Sequence, residues 1–153
     1  DGKPLAGAKF LLYKMDGDNK LYYSKNGEVV TWVPDKSQAT ELTSESEGII
    51  EVTGLTTDTT YYLVEMKAPD GYNLLEHEVK IWWEDGELKA AYADGSDNLV
   101  KDGQIVVTNS TGTELPETGG PGTTILTIGG LLLMAGAVGG GYGLRRRRGK
   151  EGR

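Results

Sequence analysis

The sequence predicts an all-β protein with the strand spacing of a sandwich, and three observations support this fold class. Short runs rich in Tyr, Val, Thr and Ile recur from residue 1 to about residue 110. Asn-Gly and Asp-Gly pairs separate several of these runs, which is the strongest short-range signal of a β-hairpin. No window sustains the i, i+3, i+4, i+7 apolar pattern of an amphipathic helix. We therefore expect about seven strands.

The runs with strand composition follow one another closely, with turn residues between them. They cover residues 8–14, 20–24, 28–33, 48–55, 60–67, 73–83, 87–93 and 104–109. Two of the intervening turns, DGDN (16–19) and DGSDN (94–98), are acidic enough to suggest calcium-binding loops. Neither continues into the spaced oxygen ligands of a calcium loop, so the sequence predicts no metal site and no cofactor.

One run, YYLVEMK, places a carboxylate among large apolar groups. Alternation along a strand puts Tyr61, Leu63 and Glu65 on one face, and neither face is clearly polar. One interpretation is an edge strand whose Glu65 points to solvent. The other is that Glu65 is buried because its proton is used in chemistry.

Composition and charge exclude several classes of function. The chain has no cysteine and a single histidine, so a disulfide framework, a thiolate nucleophile and most metal clusters are excluded. The net charge is −7, but residues 145–153 carry six basic groups against one acidic group, a balance of +5. Residues 1–144 therefore carry −12. Such an acidic body argues against nucleic-acid binding, which requires a basic surface.

The C-terminal part of the sequence divides into four segments. A small polar linker (111–114) precedes LPETG (115–119), and residues 123–144 then contain no charged side chain. This last stretch is long enough for a transmembrane helix, which needs about 20 residues. The basic tail, 145–153, begins with four arginines that would stop export and keep the C-terminus in the cytoplasm. These four stop-transfer residues are Arg145, Arg146, Arg147 and Arg148.

These segments, in this order, resemble the cell-wall sorting signal of Gram-positive surface proteins. The motif is Leu115-Pro116-Glu117-Thr118-Gly119. The resemblance implies that a sortase cleaves between Thr118 and Gly119 and transfers the Thr118 carboxyl group to an amine. That amine would belong to a peptidoglycan cross-bridge or to a neighbouring pilin subunit, and the membrane would be only a transient partner before sorting. A permanent single-pass membrane protein is the alternative.

Residues 1–110 resemble the collagen-adhesin B-type (Cna-B, SpaA-like) domains of pilins and adhesins. The resemblance rests on DGKPLAGAKFLLYK (1–14), VEMKAPDGY (64–72) and IVVTN (105–109). It implies a Greek-key, immunoglobulin-like sandwich in which a glutamate catalyses a spontaneous amide bond between a lysine and an asparagine. Carried over, the catalyst is Glu65 and the acceptor is Asn109. A protonated Glu65 would donate a hydrogen bond to the Asn109 side-chain carbonyl.

The same resemblance places the reactive lysine a few residues upstream of Asp1. Lys3 belongs to a turn and Lys9 alternates away from Ala8 and Phe10, so neither is a good substitute. We therefore expect the chain to be a C-terminal fragment of a longer precursor that lacks the first strand of its domain.

The leading functional hypothesis is a structural one. We expect a secreted, wall-anchored, non-enzymatic stalk domain of a pilin subunit or an adhesin. A ligand-binding adhesive module and the wall-proximal part of a larger surface enzyme are the alternatives. Polymerising pilins usually carry a Y-P-K-type motif, and WVPDK (32–36) lacks its Pro-Lys pair, so a polymerisation role for Lys36 is not favoured.

Overall fold

The computed structural model describes residues 3–111 and 122–129, and these residues form an all-β structure with one short 3-10 helix, Lys36–Gln38. In chain order the strands are β1 (Lys3–Pro4), β2 (Lys9–Asp16), β3 (Asn19–Asn26), β4 (Val29–Val33), β5 (Leu42–Thr43), β6 (Ile49–Thr53), β7 (Tyr61–Lys67), β8 (Val79–Glu84), β9 (Glu87–Tyr92), β10 (Val100–Lys101), β11 (Gln104–Asn109) and β12 (Gly122–Gly129). Each predicted run overlaps one of these strands. The additional strands are three two-residue strands and β12.

The strands form two sheets that pack face to face. The larger sheet has the order β4-β3-β2-β7-β8-β9, with β5 also pairing with β2. The smaller sheet has the order β1-β12-β11-β10, with β6 also pairing with β12. Buried residues from both sheets form one core. The predicted all-β sandwich is therefore confirmed.

Tight turns set the register of four hairpins. The β8–β9 turn is Asp85-Gly86 and the β10–β11 turn is Asp102-Gly103, and all four of these residues have positive φ. Positive φ at both central positions is the type I′ geometry, which matches the right-handed twist of paired strands. The β2–β3 and β3–β4 turns begin with glycines at positive φ, Gly17 and Gly27. These positions agree with the Asp-Gly and Asn-Gly signals in the sequence.

Strand β12 differs most from the sequence-based expectation. It pairs antiparallel with β11, from Ile105↔Leu126 to Asn109↔Gly122, and parallel with β6, from Ile125↔Ile49 onward. Residues 123–129 were predicted to begin a transmembrane helix, whereas the structure has a strand there. The physical reason is that TTILTI is mostly β-branched and alternates, which favours a half-buried strand.

The rest of the C-terminal predictions lies outside the described residues. This applies to the linker beyond Thr111, to the LPETG motif at 115–119, to residues 130–144 and to Arg145–Arg148. Within the part of the chain that the structure describes, no helix is long and apolar enough to cross a membrane. The transmembrane segment therefore stays a prediction.

Candidate functional site

Strand β7 places Glu65 in the core between the two sheets. Tyr61, Leu63 and Glu65 share its inward face and are 2, 1 and 5 % exposed. The strand lies between β2 and β8, and Phe10 of β2 pairs with Glu65. The interpretation of Glu65 as a solvent-exposed residue on an edge strand is therefore wrong, because the strand is internal and its Glu65 is buried.

Asn109 reaches Glu65 from the opposite sheet. It is the last residue of β11, shares the inward face with Ile105 and Val107, and is fully buried. Its side-chain Nδ2 lies 3.0 Å from Glu65 Oε1 and 3.1 Å from Glu65 Oε2. The structure thus brings together the two residues that the sequence singled out, 44 positions apart, through a contact that joins the sheets.

Two main-chain groups from the segment after β7 complete the site. The Leu75 N–H donates a hydrogen bond of 2.8 Å to Glu65 Oε1, and the Asn73 carbonyl oxygen accepts one of 2.8 Å from Asn109 Nδ2. Asn73 is itself held by the residue that follows β11, because its N–H donates to the Ser110 carbonyl oxygen at 2.9 Å. Sequence reasoning missed this role of Asn73 and Leu75, because it depends on the path of an irregular segment.

The orientation of the Asn109 amide differs from the sequence-based hypothesis. Glu65 was expected to donate to the Asn109 carbonyl, but it faces Nδ2 instead, and Oδ1 has no hydrogen-bond partner among the described residues. The Asn73 carbonyl oxygen explains the difference, because only the nitrogen of an amide can donate to it. The carboxyl group of Glu65 therefore lies beside Asn109 Nδ2, the atom that would leave as ammonia if an amine replaced it.

Burial controls the protonation of this site. Desolvation raises the pKa of Glu65 above its ordinary value, and the hydrogen bonds from Leu75 and Asn109 oppose this effect only in part. Burial also raises the pKa of the nearby Tyr92, with a smaller contribution from the charge of Glu65. A carboxyl group that holds its proton more tightly than usual is better suited to donate that proton and to take it back.

The lysines near the start of the described chain lie away from the site. Lys3 is exposed in β1, and Lys9 Nζ lies 3.4 Å from Glu41 Oε1 at the surface. Among the residues that the structure describes, no lysine forms a hydrogen bond or an ion pair with Glu65 or Asn109.

Comparison with known proteins gives the class and then the family. The Gram-positive LPXTG cell wall anchor motif matches residues 107–151, so the chain belongs to the class of secreted, cell-wall-anchored proteins. A second model, described as the SpaA prealbumin-like fold domain, matches residues 1–96. That match covers more than half of the chain, and the protein therefore belongs to the SpaA domain family.

Individual relatives are pilus proteins. The chain is 40% identical over 94 residues to the fimbrial subunit type 1 of Actinomyces viscosus, a match that covers 60% of this chain and 16% of that protein. Among solved structures it is similar to the group B streptococcus pilus 2b backbone protein (37% identity, 74% of this chain, 38% of that chain, TM-score 0.48). It is also similar to the SpaE basal pilin of Lactobacillus rhamnosus GG (22% identity, 82% and 42% coverage, TM-score 0.40). The chain thus spans less than half the length of these relatives.

Proposed function

We propose that this chain is the wall-proximal stalk domain of a pilin subunit or surface adhesin, and that a buried amide cross-link reinforces it. The observation that carries the proposal is the contact between Glu65 and Asn109 across the two sheets. An adhesive module and part of a surface enzyme stay alternatives, and no feature of the described residues favours either of them.

Anchoring would use the LPETG motif as a substrate for a sortase. The cysteine thiolate of that enzyme would attack the Thr118 carbonyl carbon, and the Gly119 amine would leave with the remainder of the chain. A second amine, from the peptidoglycan cross-bridge or from a neighbouring pilin subunit, would then displace the thiolate. Pro116 suits this role because it fixes φ and removes one N–H, so the peptide binds already extended.

Cross-linking would use Asn109 as the acceptor and Glu65 as the catalyst. A neutral lysine amine attacks the Asn109 Cγ atom, a C–N bond forms, and the Cγ–Nδ2 bond breaks to release ammonia. Glu65 touches Nδ2, so its carboxyl group can take a proton from the attacking amine and give one to the leaving nitrogen. Burial supports both groups, because it raises the pKa of Glu65 and lowers that of a buried lysine, which favours the neutral form of each.

The expected benefit of the cross-link is mechanical as well as thermodynamic. By analogy with a disulfide that closes a loop of about 100 residues, the bond would add about 4–5 kcal/mol of stability. Asn109 precedes the cleavage residue Thr118 by nine positions. Pulling force from the wall would therefore enter the domain at Asn109 and pass through the cross-link rather than through the hydrogen bonds of the sheets.

The cross-link is tested by the intact mass of a chain extended upstream through the preceding strand. We expect a mass lower than that of its sequence by one ammonia, and we expect Glu65→Ala or Asn109→Ala to restore the full mass. The 1–153 chain should show no loss. A full, unreacted mass of the folded extended chain would remove Glu65 from catalysis.

Anchoring is tested separately by fractionating a Gram-positive host. The wall fraction should contain the protein with Thr118 as its new C-terminal residue. Replacement of Thr118, or deletion of residues 145–153, should move the protein to the membrane or the medium. Peptides from residues 123–153 in stoichiometric amounts in the wall fraction would contradict the proposed cleavage.

A further inference from the structure

Strand β4 leaves one edge of the larger sheet unpaired. It stands at the end of the strand order and pairs only with β3. The opposite edge strand, β9, carries two charged residues, Glu87 and Lys89. It is also covered, because the Leu99 N–H donates a 2.8 Å hydrogen bond to the Ala90 carbonyl oxygen. β4, Val29–Val33, has no charged side chain and no such cover among the described residues. An uncharged edge strand of this kind is a template for pairing with another strand.

The main-chain groups at this free edge belong to Val30 and Trp32. A two-residue turn closes the β3–β4 hairpin on Asn26 and Val29, which are therefore a hydrogen-bonded pair. Hydrogen-bonded and non-hydrogen-bonded pairs alternate along an antiparallel ladder, so the N–H and C=O groups of Thr31 also point to β3. Those of Val30 and Trp32 point the other way, and no group among the described residues bonds to them.

The side chains of β4 are apolar on both faces of the sheet. On the inner face, Trp32 stacks on Tyr61 with ring centroids 5.4 Å apart, and Val30 lies against Gly54. On the outer face, Val29 is 62 % exposed, the largest fraction among the large apolar side chains of the described residues. Removal of apolar surface from water is favourable, so a partner strand that covers Val29 stabilises the pair.

The sequence of β4, VVTWV, is complementary to itself. When two copies pair antiparallel about Thr31, Val30 of each copy lies opposite Trp32 of the other. These are the residues whose main-chain groups point to the free edge, so each facing pair exchanges two hydrogen bonds, four in all. Val29 of each copy then lies opposite Val33 of the other, on the outer face. One register therefore satisfies the main-chain groups and covers the exposed valine.

The residues that flank β4 permit this register and limit the interface to five positions. Glu28 lies opposite Pro34, which has no N–H and ends the ladder. Between residues 26 and 36 no like charges face each other across the pair. A contact of this size is weak between free molecules. It becomes favourable where copies are concentrated on one surface, as they are for a chain anchored to a cell wall.

We propose that β4 is a docking site for β4 of a second copy of this chain. The two strands pair antiparallel about a twofold axis through Thr31, so the same surface of each copy forms the interface. The two larger sheets become one continuous sheet across the pair. This association requires neither the amide cross-link nor the cleavage of LPETG, so its test is independent of both.

The first experiment places a single cysteine at the twofold axis. The chain has no cysteine, and the two Thr31 residues would form a non-hydrogen-bonded pair with Cα atoms about 4.5 Å apart. This separation suits a disulfide. In the 1–153 chain, Thr31→Cys should form a disulfide-linked dimer under mild oxidation at least about tenfold faster than Thr108→Cys. Thr108 is the matched control, because it is also an exposed threonine in a strand, but β11 is internal. Equal rates overturn the proposal.

A second experiment tests the direction and register of the pairing. Val29 lies opposite Val33 of the other copy, so the two Val29 residues lie four positions, about 13 Å, apart along the pair. This exceeds the limit of about 7 Å between the Cα atoms of a disulfide. A mixture of Val29→Cys and Val33→Cys chains should therefore give the mixed dimer, and neither variant alone should dimerise faster than Thr108→Cys. Dimers of Val29→Cys with itself indicate parallel pairing and overturn the proposed axis.

The third experiment places a charge at the axis. Thr31→Lys sets two ammonium groups opposite each other across the pair, which is unfavourable. Added to both the Val29→Cys and the Val33→Cys chain, it should lower the initial rate of mixed-dimer formation about fivefold or more. Thr108→Lys, added in the same way, should leave that rate unchanged. If Thr31→Lys has no effect, or if both lysine variants slow the reaction equally, the dimer does not form through β4 and the proposal is wrong.

Discussion

The carboxyl group of Glu65 is subject to opposing influences on its proton. Burial in the core raises its pKa, whereas hydrogen bonds from the Leu75 main chain and the Asn109 side chain favour the ionised form. Burial is the larger effect. The folded protein therefore binds this proton more tightly than the unfolded chain does, so Glu65 contributes to the pH dependence of the stability of the fold.

The direction of that dependence follows from proton linkage. A carboxyl group with a raised pKa contributes its full stability below its ordinary pKa of about 4.5 and loses it as pH rises through the folded-state value. Glu65→Gln has no such titration. We expect the difference in unfolding free energy between the native chain and this variant to fall as the pH rises above about 4.5, measured by urea unfolding.

An exposed residue provides the control for this titration. Glu28 lies in the turn between β3 and β4 and is exposed, so Glu28→Gln is the matched surface substitution against which Glu65→Gln is compared. If the stability curves of Glu65→Gln and the native chain run parallel with pH, the carboxyl group of Glu65 does not have the raised pKa that its burial implies.

Sequence alone was sufficient to select the two side chains of the site, Glu65 and Asn109, but not the main-chain groups of Asn73 and Leu75. Alternation placed Glu65 with Tyr61 and Leu63, and Asn109 with Ile105 and Val107, and all six are buried in the structure. It was not sufficient for the direction of the hydrogen bonds. The orientation of the Asn109 amide depends on the Asn73 carbonyl oxygen, and an irregular segment has no periodicity from which its position could be predicted.

At the scale of single elements, β12 is the one whose burial is easiest to test. Leu126 is 1 % exposed, so Leu126→Ala should remove about 2–5 kcal/mol of unfolding free energy. Ile125→Ala, on the partly exposed face, should cost clearly less. Denaturant unfolding of the 1–153 chain and the two variants measures both losses. Equal and negligible losses would show that this segment does not pack in the core in solution.

The turn after β6 depends on a glycine. Gly54 has a φ of +87°, and a Cβ atom there would lie 2.7 Å from Val30 Cγ2. Gly17 also has positive φ, +64°, but a Cβ atom there meets nothing within 4 Å. Both Ala variants should lose about 1–2 kcal/mol through backbone strain, and Gly54→Ala should lose more because of the clash. Thermal unfolding measures the loss of unfolding free energy in both variants. If Gly17→Ala loses as much as Gly54→Ala, the contact with Val30 has no role.

Elements were predictable where turn chemistry and alternation agreed. The hairpins with Asp-Gly at 85–86 and 102–103 are examples, because few backbone geometries suit these pairs. The two-residue strands β1, β5 and β10 are too short to show alternation. The segment TTILTI is apolar enough to suggest a membrane helix and alternates enough to suit a sheet. Only the contacts with β6 and β11 distinguish the two states.

At the scale of the whole molecule, the pairing of β12 with β11 should prevent a sortase from cleaving the LPETG motif, and cleavage should require β12 to be unpaired. Asn109 and Gly122, which stand on either side of LPETG in the sequence, are paired across β11 and β12. A sortase needs its motif extended in a groove. A disulfide between Thr108→Cys and Thr123→Cys, which are paired across the same two strands, would keep Asn109 and Gly122 together. We expect this oxidised variant to be cleaved at least about tenfold more slowly, because positioning controls the attack.

Reduction provides the control for this prediction. A sortase assay with a glycine nucleophile should recover the native rate once the disulfide is reduced. Single Thr108→Cys or Thr123→Cys variants should be cleaved normally under both conditions. Equal rates for the oxidised and reduced double variant would show that the docked strand leaves the motif fully accessible.

The parallel pairing of β6 with β12 also has a consequence for timing. Ile49 pairs with Ile125, which follows it by 76 positions, and a secreted chain leaves the exporting channel from its N-terminal end. The first half of the sandwich is therefore outside the cell while the strand that covers it is still inside the channel. Pairings between distant residues form slowly, and unpaired strand edges bind other chains. Until residue 129 emerges, the edge of β6 is open to any extended segment nearby. The rate of export therefore determines how long another chain can pair with β6 before β12 does.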